Sequence, residues 1–205
     1  MASTETSTGA TDSQSDFWIS PRYKASQWRA LRLDTHDEAD WLKAVNIVED
    51  RIKGRFVRWI DSIVVERFSG FAVVALDCLL IETLIGFMTG EPSRGPDALL
   101  TKKVGNDELK FTEEQAQQFR ESVRNGVIHD AETRSGWIIR PGKPDGQILT
   151  INGGSIALNR DAFHSALKRE LQVWLGKLRS GDDEMLRKNM KKRMEQIIEI
   201  HGEAV

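Results

Sequence analysis

The chain has 205 residues, and its 40% apolar content with six tryptophans is enough for one domain with a buried core. A formal net charge of −2 excludes a protein that binds nucleic acid through uniform positive charge, so any such contact must come from a local basic patch. The single cysteine, Cys78, excludes an intramolecular disulfide framework and a cysteine-rich zinc site, and it fits a reducing cytoplasm.

The N-terminal segment differs in composition from the rest of the chain. Residues 1–16 are rich in Ser, Thr and Gly and almost lack apolar side chains, which predicts a disordered tail. They do not show the basic and then apolar pattern of a secretory signal. Residues 17–205 are predicted to form a single helical domain.

The first long helix is predicted to begin at Thr35, which has capping-box spacing to Glu38, and to end near Ser69. Gly54 lies inside this helix and is not expected to reset the phase of its apolar face. Apolar residues at steps of three and four define that face: Trp41, Val45, Val48, Ile52, Phe56, Trp59 and Ile63.

The second helix, Phe71 to Met88, is apolar nearly all round, which predicts a central position in a helical bundle. Its acidic residues, Asp77 and Glu82, argue against a membrane span, because either one near the centre of a bilayer would raise the free energy of membrane insertion by roughly 2.5–3.5 kcal/mol. A long loop follows, with four basic residues: Arg94, Lys102, Lys103 and Lys110.

The third helix is predicted to begin at Thr112, which has capping-box spacing to Gln115, with Phe111 stapling its start. It should end within `RNGVIHDAE`. Its buried face is predicted to hold Ala116, Phe119, Val123 and Val127.

A short β element and two more helices follow. `GWIIR` and `GQILTI` flank the turn-rich `PGKPDG`, which predicts a β-hairpin, and `SIALN` is a candidate third strand. Asn159 should cap a helix from about Arg160 to Arg179, and Gly181 separates it from a last helix. The apolar face of the first of these helices is predicted to hold Phe163, Leu167, Leu171, Trp174 and Leu178. The predicted fold is therefore all-α: a bundle of four to five helices with a small β-hairpin insertion between the third and fourth major helices.

The motif `RNGVIH` holds an arginine and a histidine that together suit phosphate chemistry. Arg124 is a permanent cation whose planar fork matches two phosphate oxygens, and His129 can accept and donate a proton near neutral pH. In a regular α-helix they lie about 140° apart around the axis. Two arrangements overcome this separation: Gly126 can release the helix between them, or a two-fold dimer can bring Arg124 and His129 of both chains into one cleft. The same residues also fit a solvated helix arginine and a histidine at a helix C-terminus.

The carboxylates of the second helix bear on this motif. A buried carboxylate needs a partner, and Arg120 and Arg124, one turn apart, are the candidates. A Glu82–Arg124 pair would fix the guanidinium, although such a pair can also be purely structural. Asp77 is expected to be structural or partly solvated.

These residues resemble the signature of the HEPN superfamily. Its signature is an arginine followed after four to six residues by a histidine, in a helical bundle, and Arg124, Asn125 and His129 match the shortest form. Glu82 matches an acidic residue that often joins this site from an earlier helix. Six residues carry this motif, while the β element, the long loop and the tail depart from it and leave the subfamily open.

The resemblance implies a metal-independent endoribonuclease that uses no cofactor and forms a homodimer. The ribose 2′-hydroxyl would attack the adjacent phosphate. His129 would act as general base or acid, and Arg124 would stabilise the developing charge on the phosphate. Asn125 would have an orienting or hydrogen-bonding role. Members work in toxin–antitoxin and phage-defence systems, so an antitoxin protein is a possible partner besides the RNA substrate. The alternative is a catalytically silent helical module that binds RNA or a protein.

A basic segment near the C-terminus is a weaker candidate for binding the RNA backbone. Its residues are Arg187, Lys188, Lys191, Lys192 and Arg193. The solvated face of an amphipathic helix is the simpler explanation of these residues. The remaining histidines show no metal-ligand spacing, so no metal site is predicted, and His164 is expected to be structural.

Overall fold

The computed structural model describes residues 16–35, 37–93, 95–101 and 108–202, and side chains as far as residue 200. Most of the predicted tail, the loop residues Arg94, Lys102 and Lys103, and His36 lie outside the described residues. The described part of the chain is mostly helical and carries one small three-stranded sheet. A mainly α-helical fold with a β insertion is therefore confirmed.

The helices follow one another along the chain with two π-helical segments between them. The first group contains α1 (Ala25–Arg29), α2 (Glu38–Ile52), a π-helical segment (Lys53–Val57), α3 (Arg58–Ile63) and α4 (Gly70–Thr89). The second group contains α5 (Asp97–Leu100), α6 (Glu113–Gln118), a second π-helical segment (Phe119–Arg124) and α7 (Asn125–Asp130). After the strands β1 (Trp137–Arg140), β2 (Leu149–Asn152) and β3 (Ser155–Asn159) come α8 (Arg160–Ser180) and α9 (Glu184–Gly202).

Helix α4 occupies the centre of the fold, as its apolar composition predicts. It packs against α8 and α9 and also contacts α3, α7 and β1. It is long and apolar enough to cross a membrane by length and composition alone, but 61% of its most apolar stretch is buried inside the protein. The described residues therefore give no clear membrane span, and α4 is a core helix.

The first long helix differs from its prediction at both its cap and its phase. Asp37, rather than Thr35, caps α2, because its carboxylate accepts hydrogen bonds from two backbone N–H groups of the first turn. The π-helical segment that contains Gly54 adds a residue to one turn. From the last residue of this segment onward the buried positions are Val57 and Ile60, while Trp59 is exposed. The prediction that Gly54 leaves the phase unchanged is wrong.

The sheet corrects the predicted hairpin. The strand order is β1-β3-β2, with β3 parallel to β1 and antiparallel to β2, so β1 and β2 do not pair. The hairpin instead joins β2 to β3 through Gly153 and Gly154, whose φ values of 56° and 85° suit a tight two-residue turn. `SIALN` is the central strand of the sheet.

The helices on either side of the sheet agree with their sequence patterns. Thr112 and Gln115 form the predicted capping box at α6. Asn159 caps α8, and Gly181 follows it with a left-handed φ of 76°. The predicted buried faces are confirmed for both helices: Ala116, Phe119, Val123 and Val127, then Phe163, Leu167, Leu171, Trp174 and Leu178.

Candidate active site

The structure brings three of the four predicted site residues together. Arg124 ends the second π-helical segment, Asn125 begins α7, and Glu82 lies on the facing side of α4. Arg124 Nε donates a hydrogen bond of 2.9 Å to Glu82 Oε1, and its Nη1 donates one of 3.1 Å to Asn125 Oδ1. The side chains of Arg124 and Glu82 are 26% and 20% exposed. The guanidinium is therefore oriented by two partners in a partly buried position.

This geometry leaves part of the arginine available to a ligand. The two hydrogen bonds use Nε and Nη1, and Nη2 donates to no described residue. An oriented guanidinium with a free terminal nitrogen can bind a phosphate oxygen without first having to be ordered. The ion pair expected from the sequence is thus present, and it is held where solvent can still reach it.

His129 lies apart from this cluster within one chain. It sits on the last turn of α7, is exposed, and its side chain makes no hydrogen bond or ion pair to a described residue. The helix runs through Gly126 and ends at Asp130, where Ala131 takes a left-handed φ of 56°. Gly126 therefore does not end the helix between Arg124 and His129, which corrects that prediction. The two side chains stay about 140° apart around the helix axis.

Gly126 has a different role, which is to allow close packing after the helix. A Cβ atom at this position would lie 2.3 Å from the backbone carbonyl oxygen of Glu132. The same returning segment places the Arg134 N–H 2.9 Å from the Ser122 carbonyl oxygen, in the π-helical segment. The glycine thus lets the chain fold back beneath α7 and fixes the helix end that carries His129.

A second polar cluster lies deeper in the protein and was missed by sequence reasoning. Asp77 is fully buried, and its Oδ1 lies 2.8 Å from His164 Nδ1 on α8. His164 Nε2 lies 3.3 Å from Asp61 on α3, to which Lys168 donates a hydrogen bond of 2.7 Å. Asp77 was expected to be structural or partly solvated; its complete burial rules out partial solvation and agrees with the structural role. The expected structural role of His164 agrees with its burial and with its position linking three helices.

The pKa values of this cluster follow from burial and from the neighbouring charges. Burial disfavours the charged form of His164, but hydrogen bonds to Asp77 and Asp61 outweigh it and raise the pKa of the imidazole. Burial raises the pKa of Asp77, and the contact with His164 offsets only part of that effect. The Asp77–His164 pair therefore holds its shared proton to a higher pH than a free histidine would.

The five basic residues of the C-terminal segment do not form one exposed patch. Arg187 is buried: it makes hydrogen bonds of 2.8 and 2.9 Å to Glu38, donates to the Leu178 carbonyl oxygen, and stacks over Trp41. The predicted exposed position of Arg187 is wrong, because its guanidinium joins α9 to α2. The other four are placed differently: Lys191 pairs with Asp34, Lys192 pairs with Glu91, Arg193 donates to Gln196, and Lys188 is exposed.

Other reactive groups are few in the described part of the chain. Cys78 is a free, buried thiol whose pKa is raised by burial. Among the described residues, no three His, Cys, Asp or Glu side chains group in a way that could hold a metal ion. Comparisons with models of known protein families, with curated proteins and with solved structures find no match for this chain.

Proposed function

We propose that this protein is a metal-independent endoribonuclease of the HEPN type that acts as a homodimer in the cytoplasm. The observation that carries the proposal is the Glu82–Arg124–Asn125 cluster, in which a partly buried carboxylate and an amide orient one guanidinium. The exposed His129 supplies an accessible acid–base group one helical turn further along.

The chemistry assigns a separate task to each residue. His129 takes the proton of a ribose 2′-hydroxyl, whose oxygen attacks the adjacent phosphorus. The bond from phosphorus to the 5′-oxygen breaks, that oxygen takes a proton from water, and His129 returns its proton to the solvent, which leaves a 2′,3′-cyclic phosphate and a 5′-hydroxyl. Arg124 stabilises the extra negative charge on the phosphate through its free Nη2. Asn125 and Glu82 hold the guanidinium and do not touch the RNA.

A two-fold dimer overcomes the separation of Arg124 and His129, because the arginine of one protomer can meet the histidine of the other. Helix α4 offers a surface for such a contact. Ala72 and Leu79 are exposed and Ala75 and Leu76 are half-buried, at steps of three and four residues that lead towards Glu82. An apolar stripe of this kind suits a second copy of the chain.

The test is cleavage of single-stranded RNA in EDTA by purified protein. Because proton transfer contributes about 10²–10⁴-fold to rate, His129→Ala should lower cleavage by at least about 100-fold, and Arg124→Ala should lower it by a similar factor. Lys43→Ala, an exposed lysine of α2, is the control and should cleave like the wild type. Products that lack a cyclic phosphate, or full activity of His129→Ala, would refute the mechanism.

Mixing two inactive variants tests the shared site directly. A heterodimer of Arg124→Ala and His129→Ala contains one site with both wild-type residues if each site draws on two protomers. Cleavage should then return on mixing. If both residues of a site came from the same chain, every site in the mixture would stay defective and activity would not return.

A catalytically silent module that binds RNA or a protein is the second candidate. It is favoured by one observation, which is that no described side chain orients His129. RNA binding by the wild type without cleavage would select this candidate. Growth arrest on expression of the wild type, but not of Arg124→Ala, would instead support a toxin that an antitoxin protein must neutralise.

A further inference from the structure

A cleft of about 830 Å³ lies away from the Glu82–Arg124 pair, between the first π-helical segment and α8. Its volume falls within the range of small-molecule sites in proteins. One wall comes from α2, the π-helical segment and α3, the other from α8, and Pro21 and Arg22 close one edge. No local sequence pattern indicates this cleft.

Contacts at both ends hold the walls of the cleft in place. At one end Arg179 of α8 pairs with Glu49 of α2. At the other end Asp61 of α3 contacts Lys168 and His164 of α8, and His164 also contacts the buried Asp77. The cleft is therefore formed before a ligand binds.

Gly54 and the π-helical segment shape the middle of the cleft. A Cβ atom at Gly54 would lie 2.2 Å from Cγ of Pro21, so only glycine allows this proline to pack there. The apolar part of the lining comes from Pro21, Val57 and Leu171. π-helical segments occur often at functional sites, because the extra residue changes which side chains face a cavity.

The charged lining is mostly positive. Five cations line the cleft, Arg22, Lys53, Arg58, Lys168 and Arg169, against two carboxylates, Asp50 and Asp61. This contrasts with the net charge of −2 of the whole chain. Four of these cations already make ion pairs, at 2.6 to 2.7 Å. Arg58 stacks on the Trp59 ring at 5.8 Å and makes no ion pair with a described residue.

From this lining we propose that the cleft binds a small organic phosphate monoester with an apolar or aromatic body. The phosphate dianion would pair with Arg58 on one wall and share Lys168 of the other wall with Asp61, while the body rests on Pro21, Val57 and Leu171. Ser165 and Gln172, which also line the cleft, offer further polar contacts. This site is independent of the proposed nuclease and does not require it.

The experiment is isothermal titration calorimetry with 1-naphthyl phosphate, and with 1-naphthol and inorganic phosphate as comparators. The intact phosphate ester should bind at least tenfold more tightly than either comparator, because each comparator lacks half of the interactions. Arg58→Ala combined with Lys168→Met should weaken binding at least tenfold. Melting temperatures establish that each variant is folded.

The matched control is Arg67→Ala. Arg67 stacks on the ring of Phe68 at 5.1 Å, as Arg58 stacks on Trp59, but it does not line the cleft. This variant should bind the ester like the wild type. Equal binding of 1-naphthol, unchanged binding by the double variant, or an equal loss in Arg67→Ala would each overturn the proposal. So would binding of single-stranded RNA that depends on Arg58 and Lys168 without any binding of the ester.

Discussion

Removal of His164 tests the buried cluster most directly. Asp77 has no exposed surface, and only one of its oxygens has a hydrogen-bond partner among the described residues, which is His164. His164→Ala leaves that carboxyl group buried without a partner. Breaking a buried pair in this way costs about 3–5 kcal/mol of unfolding free energy. For a chain of this size that corresponds to a fall of roughly 6–20 °C in Tm.

The assay is urea unfolding followed by tryptophan fluorescence at pH 7.5, with thermal melting as a second measurement. Asp61→Asn is the control, because the Asp61 side chain is 44% exposed and its loss should cost no more than about 1 kcal/mol. Replacing both partners, as in Asp77→Leu with His164→Leu, should recover much of the loss. A cost below about 1 kcal/mol for His164→Ala, or a double variant no more stable than the single one, would refute the reasoning.

Three further predictions concern stability. The pKa of His164 is raised above its ordinary 6.5, so its charged form stabilises the fold fully below pH 6.5, and this contribution is lost as the pH rises through the pKa of the folded state. The unfolding free energy of the wild type should therefore fall as the pH rises from 6.5 through the folded pKa, and that of His164→Gln should not. Gly126→Ala should lower the unfolding free energy by about 1–3 kcal/mol through overpacking. Gly176→Ala, in α8 with nothing within 4 Å of the new methyl group, should raise it by about 0.5–1 kcal/mol in the same denaturation assay, because alanine favours a helix over glycine. Arg187→Gln should lower Tm clearly, because it leaves buried carbonyl oxygens with weaker donors, and Lys188→Gln should change stability by less than about 0.5 kcal/mol; equal effects of the two would contradict the buried role of Arg187.

Part of the candidate site was predictable from one physical rule, although its residues are far apart in the chain. A carboxylate within an apolar helix requires a cationic partner, and Arg124 on the next long helix was one of two candidates for Glu82. The structure selects Arg124 for Glu82 and gives Arg120 to Asp97 instead. The sequence could not place His129, since its relation to Arg124 depends on whether the helix continues through Gly126. The helix does continue, and Glu132 packs against Gly126, a contact that no capping or spacing pattern predicts.

The sequence by itself determined the helical class, the central position of α4, the caps of α6 and α8 and their buried faces. These features depend on residues three or four positions apart, so hydrophobic spacing and capping residues are sufficient to specify them. Only the tertiary structure decided the strand order, the two π-helical segments and the burial of Arg187. The tertiary structure also decided that Asp77 pairs with His164, 87 residues away. A buried carboxylate needs a partner, and the packing of distant helices determines which side chain lies beside it.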